Sequence, residues 1–86
     1  QRQTAVRIHQ TLLFMRDAAR QGLPIAGIED EAATRLEAAG FTVDYAEVRR
    51  ADLTRARSPN EPELVALVAA RLGRTRLIDN LEFDAA

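Results

Sequence analysis

From Gln3 to Gln21 apolar residues recur at helical spacing. Ile8, Leu12, Met15 and Ala19 fall at i, i+4, i+7 and i+11, which puts them within about 60° of arc on one helix face. Gly22 is a natural stop. Val6 and Leu13, one heptad apart, lie well away from that stripe, and Phe14 sits off it on the other flank. This helix is therefore apolar on more than one side. The segment from Gly22 to Gly27 carries Pro24 and reads as a loop, after which Ile28, Ala32, Leu36 and Ala39 mark a second helix ending at Gly40. Glu29, Asp30 and Glu31 are expected in its first turn, where negative charge complements the helix dipole. Glu31 and Arg35 form an i,i+4 pair of opposite charge.

Beyond Gly40 the period changes from helical to alternating. Phe41 to Arg50 is rich in β-branched and aromatic residues, with Phe41, Val43 and Tyr45 expected on one face and Ala46 and Val48 on the other. Ala51 to Pro62 holds Ser58, Pro59, Asn60 and Pro62 and is expected to be a mobile loop that connects rather than packs. Glu63 to Leu72 is ambiguous, because it contains strong helix formers and propensity alone favours a helix. However, Gly73-Arg74-Thr75 makes a short turn, and in the next segment Leu77, Asp79, Leu81 and Phe83 alternate with polar Asn80 and Glu82. A hairpin needs a partner strand, and Leu64 to Leu72 is the adjacent candidate. The expected fold is α+β, in the order α-α-β-β-β, with two helices packed on one face of a three-stranded antiparallel sheet.

Eighty-six residues make one domain that buries roughly 60–65% of the surface of its unfolded chain. With 47% hydrophobic and 29% charged residues, the composition is that of a globular protein. Twelve arginines face thirteen Asp and Glu, too even a balance for the dense positive face of a nucleic-acid binder. Charges interrupt every apolar run before it reaches the roughly 20 residues of a membrane span. Cysteine is absent, which removes disulfides and thiolate metal sites, and no leader-like segment opens the sequence. A cytoplasmic location is the expectation.

Side chains suited to catalysis are scarce: one His, one Ser, one Tyr, and no Cys or Lys. His9 lies at the edge of the apolar stripe without a second metal ligand at coordinating spacing, and reads as structural or solvated. Ser58 sits among turn residues with no base nearby in sequence. The acidic residues Asp44, Glu47, Asp79 and Glu82 read as strand partners for Arg49, Arg50, Arg74 and Arg76 rather than as acid–base pairs. A phosphate cradle of Gly-rich loop and helix N-terminus is not in evidence. No catalytic, cofactor-binding or metal-ligating residue is assigned. Arg76 stands beside Asp79 and Asn80 and has two readings: contact with a substrate carried by a neighbouring domain, or a tie within the hairpin.

Val43-Asp44-Tyr45, Glu47 to Arg49, and above all the VAARLG, TR and LIDN elements between Val68 and Asn80 resemble, in order and spacing, the C-terminal domain of the pantothenate synthetases (pantoate–β-alanine ligases). Gln1-Arg2 and Ala5-Val6 are similar to the start of the helix that opens that domain. The resemblance implies an α+β lid hinged over an active site on a separate, N-terminal nucleotide-binding domain. In the family, a His-x-Gly-His motif and a Ser-Ser-Arg-Asn loop of that domain grip ATP. Neither motif occurs in this sequence, so no catalytic residue of the family carries over to it. The resemblance further implies Mg-ATP, pantoate and β-alanine as ligands of the complete enzyme, and its N-terminal domain as the partner of residues 1–86. Val6, Leu13 and Phe14 are then candidates for the interdomain face, their alternative being ordinary surface exposure. An exposed apolar helix face also favours homodimers through the first helix. A freestanding self-association module sharing the lid fold is the competing reading.

Overall fold

The computed structural model describes residues 2–84; Gln1, part of the resemblance above, lies outside the described residues. Two helices, α1 (Arg2–Arg20) and α2 (Ile25–Ala38), precede three strands, β1 (Thr42–Arg50), β2 (Leu64–Leu72) and β3 (Thr75–Phe83). The strands form one antiparallel sheet in the order β1-β2-β3. Both helices pack on the same face of it, burying a single core. This is the architecture expected from the sequence.

The stripe of α1 is the centre of that core, with Ile8, Leu12, Met15 and Ala19 all at most 1% exposed. Ile28, Ala32 and Leu36 supply the matching stripe of α2. Each helix ends in a Schellman turn. The Leu23 amide donates to the Ala18 carbonyl and the Phe41 amide to that of Leu36, while Gly22 and Gly40 adopt the positive φ the turn requires. At the second turn Leu36 and Phe41 are both buried, so helix termination and core packing are fixed by the same residues.

The start of α2 differs from the sequence expectation. Ile25 opens the helix and Pro24 caps it, because a proline is tolerated at a helix start where its missing N–H is not needed. Gly27 is therefore helical. Glu29, Asp30 and Glu31 lie beyond the first turn, which contains no acidic residue. Glu29 is used differently: its carboxylate accepts the Val48 amide hydrogen at 2.9 Å. That bond binds α2 to β1 and occupies a donor on the edge of the sheet that no strand covers. The expected Glu31–Arg35 pair forms, at 2.9 Å.

The alternation expected along β1 is broken by a register shift between Val43 and Tyr45. Val43 opposes Ala70 and Tyr45 opposes Ala69, so Asp44 is the extra residue of a β-bulge. One inserted residue reverses side-chain parity. Val43, Ala46 and Val48 consequently pack with the core, while Tyr45 joins the opposite face, not the face of Val43 as alternation predicts.

β2 is buried on both sides. Leu64, Ala66, Val68 and Ala70 belong to the core, and Val65 and Ala69 are covered on the helix-free face by β1 and β3. With a neighbour on each edge, β2 keeps most of its helix-free side covered as well, apart from half-buried Leu67 and exposed Arg71, which is why its sequence shows little alternation. In β3, Leu77, Leu81 and Phe83 face the core as the alternation predicts.

The loop from Ala51 to Pro62 packs as well as connects. Arg55 bridges to Arg49 on the β1 edge, and Ala56 is 5% exposed within the core. Glu61 organises this loop by accepting hydrogen bonds from the Arg50 guanidinium and from the Arg57 and Ser58 amides.

Candidate functional site

On the helix-free face the strand register sets side chains in rows across the sheet. Arg71 on β2 is directly opposite Arg76 on β3, at the end nearest the Gly73-Arg74 turn. The next row is Tyr45, Ala69 and Ile78; then come Glu47, Leu67 and Asn80, and finally Arg49, Val65 and Glu82. Ile78 is 57% exposed, an apolar side chain in a row with Tyr45 and Ala69. Its position in β3 placed it outside the core-facing alternation.

The Asp44 bulge brings one carboxylate to two of these arginines. Arg76 Nε donates to Asp44 Oδ2 at 2.9 Å, and an Arg71 Nη lies 3.4 Å from Asp44 Oδ1. The Arg76 hydrogen bond, with the Arg71 charge adding to it, holds the Asp44 carboxyl below the usual carboxylate range against a smaller opposing effect of desolvation. Arg71 and Arg76 remain 52% and 50% exposed, so their guanidiniums reach solvent while being tethered. The sequence suggested Asp44 as a partner for arginine, but the second arginine, Arg71, is evident only once the register is known.

Asp79 does not join this cluster. It lies in the row of Ala46 and Val68, on the other face of the sheet, and accepts a hydrogen bond from the Asn80 amide. Arg76 is therefore tied to β1 rather than to its own neighbours in sequence.

The three apolar residues singled out on α1 differ from one another. Val6 is 49% exposed. Leu13 is half-buried, and Phe14 is half-buried against the core with the Arg35 guanidinium 3.8 Å from its ring centroid, a cation–π contact. Phe14 thus already has an intramolecular partner, whereas Val6 offers bare apolar surface.

His9 is exposed, and the Ser58 hydroxyl accepts the Asn60 amide hydrogen, as a turn residue does. Among the described residues no cluster of His, Cys, Asp or Glu has the arrangement of a metal site. No described helix is long and apolar enough to cross a membrane. Gly22 terminates α1 and does not form a phosphate loop ahead of α2, whose start bears a proline cap. The donor set therefore does not fit ATP with its magnesium ion.

A family model described as pantoate-beta-alanine ligase matches residues 1–82. The pantothenate synthetase of Xanthomonas oryzae pv. oryzae (strain MAFF 311018) is 54% identical over 83 residues, which are 96% of this chain and 30% of that protein. Its counterpart from Xylella fastidiosa (strain M12) is 56% identical over 88 residues, again 96% of this chain and 30% of the relative. The crystal structure of pantothenate synthetase from Thermus thermophilus superposes with a TM-score of 0.78 at 30% identity, covering 93% of this chain and 29% of that one. The chain spans about 30% of the length of the curated relatives it matches.

Proposed function

This chain belongs to the pantoate–β-alanine ligase family, and from that premise we propose that it is the C-terminal lid domain of a pantothenate synthetase. The complete enzyme condenses pantoate with β-alanine using ATP, through pantoyl adenylate, with release of AMP and pyrophosphate. The observation that carries the reading is the family match over residues 1–82 in a chain spanning about 30% of its relatives. Because the described residues do not fit Mg-ATP, the nucleotide is assigned to the N-terminal domain, and no chemical step is routed through residues of this chain.

Its contribution is closure. Pantoyl adenylate is a mixed anhydride that water hydrolyses, and a domain closing over it excludes water until the amine of β-alanine attacks. A lid suited to that task needs a stiff body. The sheet, double-sided β2 and the helix layer provide one. In this reading Val6 and Leu13, with the outer edge of Phe14, meet the N-terminal domain, and Arg76 approaches substrate.

A chimera tests the proposal. In the Xanthomonas oryzae enzyme, the segment matching this chain is replaced by this chain or deleted, and AMP and pantothenate are both quantified. The chimera is expected to release them in equal amounts. The deletion is expected to release AMP without matching pantothenate, or to lose turnover. A deletion that stays fully active and fully coupled would refute the lid role. Turnover by the isolated 86-residue chain would refute the assignment of ATP to the other domain.

A further inference from the structure

Like charges directly opposite each other on neighbouring strands repel, yet Arg71 and Arg76 form such a cross-strand pair. Arg74 sits in the turn between them, with no ion pair to another described residue. Among the described residues, the carboxylate ion-paired with Arg71 and Arg76 is Asp44, brought there by the bulge. It accepts one hydrogen bond from each paired guanidinium, a small part of the five N–H donors each one carries. Arg76 and Arg71 thus form a clamped double fork with residual positive charge on the open face of the sheet. The row beside them, Tyr45, Ala69 and Ile78, gives it an apolar flank.

We propose that the Asp44-clamped pair Arg71 and Arg76 is an oxyanion-binding site, which takes a phosphoryl or carboxylate group through the guanidinium edges that Asp44 leaves uncommitted. Planar guanidiniums match both groups bidentately, and a preset pair loses little freedom on binding. Asp44 is a positioning residue: it holds the two forks side by side despite their repulsion. Which oxyanion meets the site in a complete enzyme rests on the lid reading. Binding by this chain does not, so failure of one is distinguishable from failure of the other.

The test is an NMR titration of the 15N-labelled chain at fixed ionic strength, following the arginine Nε–H resonances. One arm uses sodium pyrophosphate and the other sodium acetate. Saturable shifts are expected at Arg71 and Arg76 and not at Arg16 or Arg35, which are paired on the helices. Tighter binding of pyrophosphate assigns the phosphoryl source, and tighter binding of acetate assigns the carboxylate. R76Q should weaken the response about tenfold, the effect of losing one charge-assisted contact. R76K, which keeps charge without the fork, should recover only part of it. D44A should leave the backbone amide spectrum folded while the arginine response drops to the level of Arg35. Equal, non-saturating shifts at all arginines would overturn the site. Full recovery by R76K would overturn the fork geometry, and an undiminished response in D44A would overturn the clamp.

Discussion

Leu12→Ala and Val6→Ala separate the two apolar faces of α1. Leu12 is 0% exposed at the centre of the core, and Val6 is 49% exposed on the opposite side of the helix. Truncating a fully enclosed leucine costs about 2–5 kcal/mol, because the lost transfer energy is joined by the cost of the cavity left behind. At Val6 two methyl groups are removed that are already half in water. At about 0.8 kcal/mol per fully buried carbon, the loss is under about 1 kcal/mol, and the higher helix propensity of alanine offsets roughly half of that. A domain of this size has a total stability of about 4–13 kcal/mol. Leu12→Ala therefore removes a large share, lowering the melting temperature by about 4–8 °C per kcal/mol, while Val6→Ala stays near the parent. Urea unfolding followed by circular dichroism measures both, with an unchanged slope confirming that stability alone has moved. Equal losses in the two variants would refute the assignment of a buried stripe and a separate outward face, and with it the candidate docking role of Val6.

Glu29→Ala leaves the Val48 amide on the β1 edge without its acceptor and should cost about 1–2 kcal/mol. Amide hydrogen exchange should accelerate at Val48, and unchanged exchange would show that the bond adds nothing in solution. Gly40→Ala keeps the space it needs, since the added carbon meets only Leu72 Cδ1 at 3.6 Å, but it forces alanine to φ +95°. The expected destabilisation is about 1–2 kcal/mol, read from thermal unfolding; an unshifted midpoint would refute the strain argument. Glu61 lies below its ordinary value of 4.5, chiefly through the Arg50 hydrogen bond and then the Arg57 and Ser58 amides. Asp52 is lowered mainly by the Thr54 hydroxyl, and Asp44 by Arg76. With all three depressed, the unfolded chain takes up protons first as the solution is acidified. Their stabilisation is fully present above the ordinary carboxylate range and is lost as pH falls below it. Urea midpoints should be lower at pH 3 than at pH 7, with a smaller difference in Glu61→Gln. Equal midpoints in the parent would contradict the shifts.

Core and order of elements were legible because each rests on a period that a single sequence displays. The α1 and α2 stripes repeat at helical spacing, and β3 alternates. β2 was readable only through its neighbours: Val65, Ala66, Val68, Ala69 and Ala70 are buried on two faces and carry no alternation of their own. The open-face site was not legible, because it depends on one residue of register. Strict alternation groups Tyr45 with Val43 and Asp44 with Ala46 and Val48, whereas in the structure Val43, Ala46 and Val48 share the core face and the bulge leaves Asp44 and Tyr45 together on the helix-free face. Nothing local in VDYAEV announces an insertion, since its only signature is that Val43 and Tyr45 pair with adjacent residues of β2.

That asymmetry yields a sharp experiment. Val43 already opposes Ala70 and Tyr45 already opposes Ala69, so deleting Asp44 would close the ladder without moving a single paired residue. Removing an unpaired residue restores continuous strand hydrogen bonding, while uncovering the repulsion between Arg71 and Arg76. The deletion variant is expected to fold, with slower hydrogen exchange at Val43 and Tyr45 and with the oxyanion response at Arg76 gone. Such an outcome would show that the irregularity serves the two arginines and not the fold. If the deletion instead unfolds the domain, the bulge is required by the packing of β1 against α2, and the placement of Asp44 beside the arginines is a by-product of that packing.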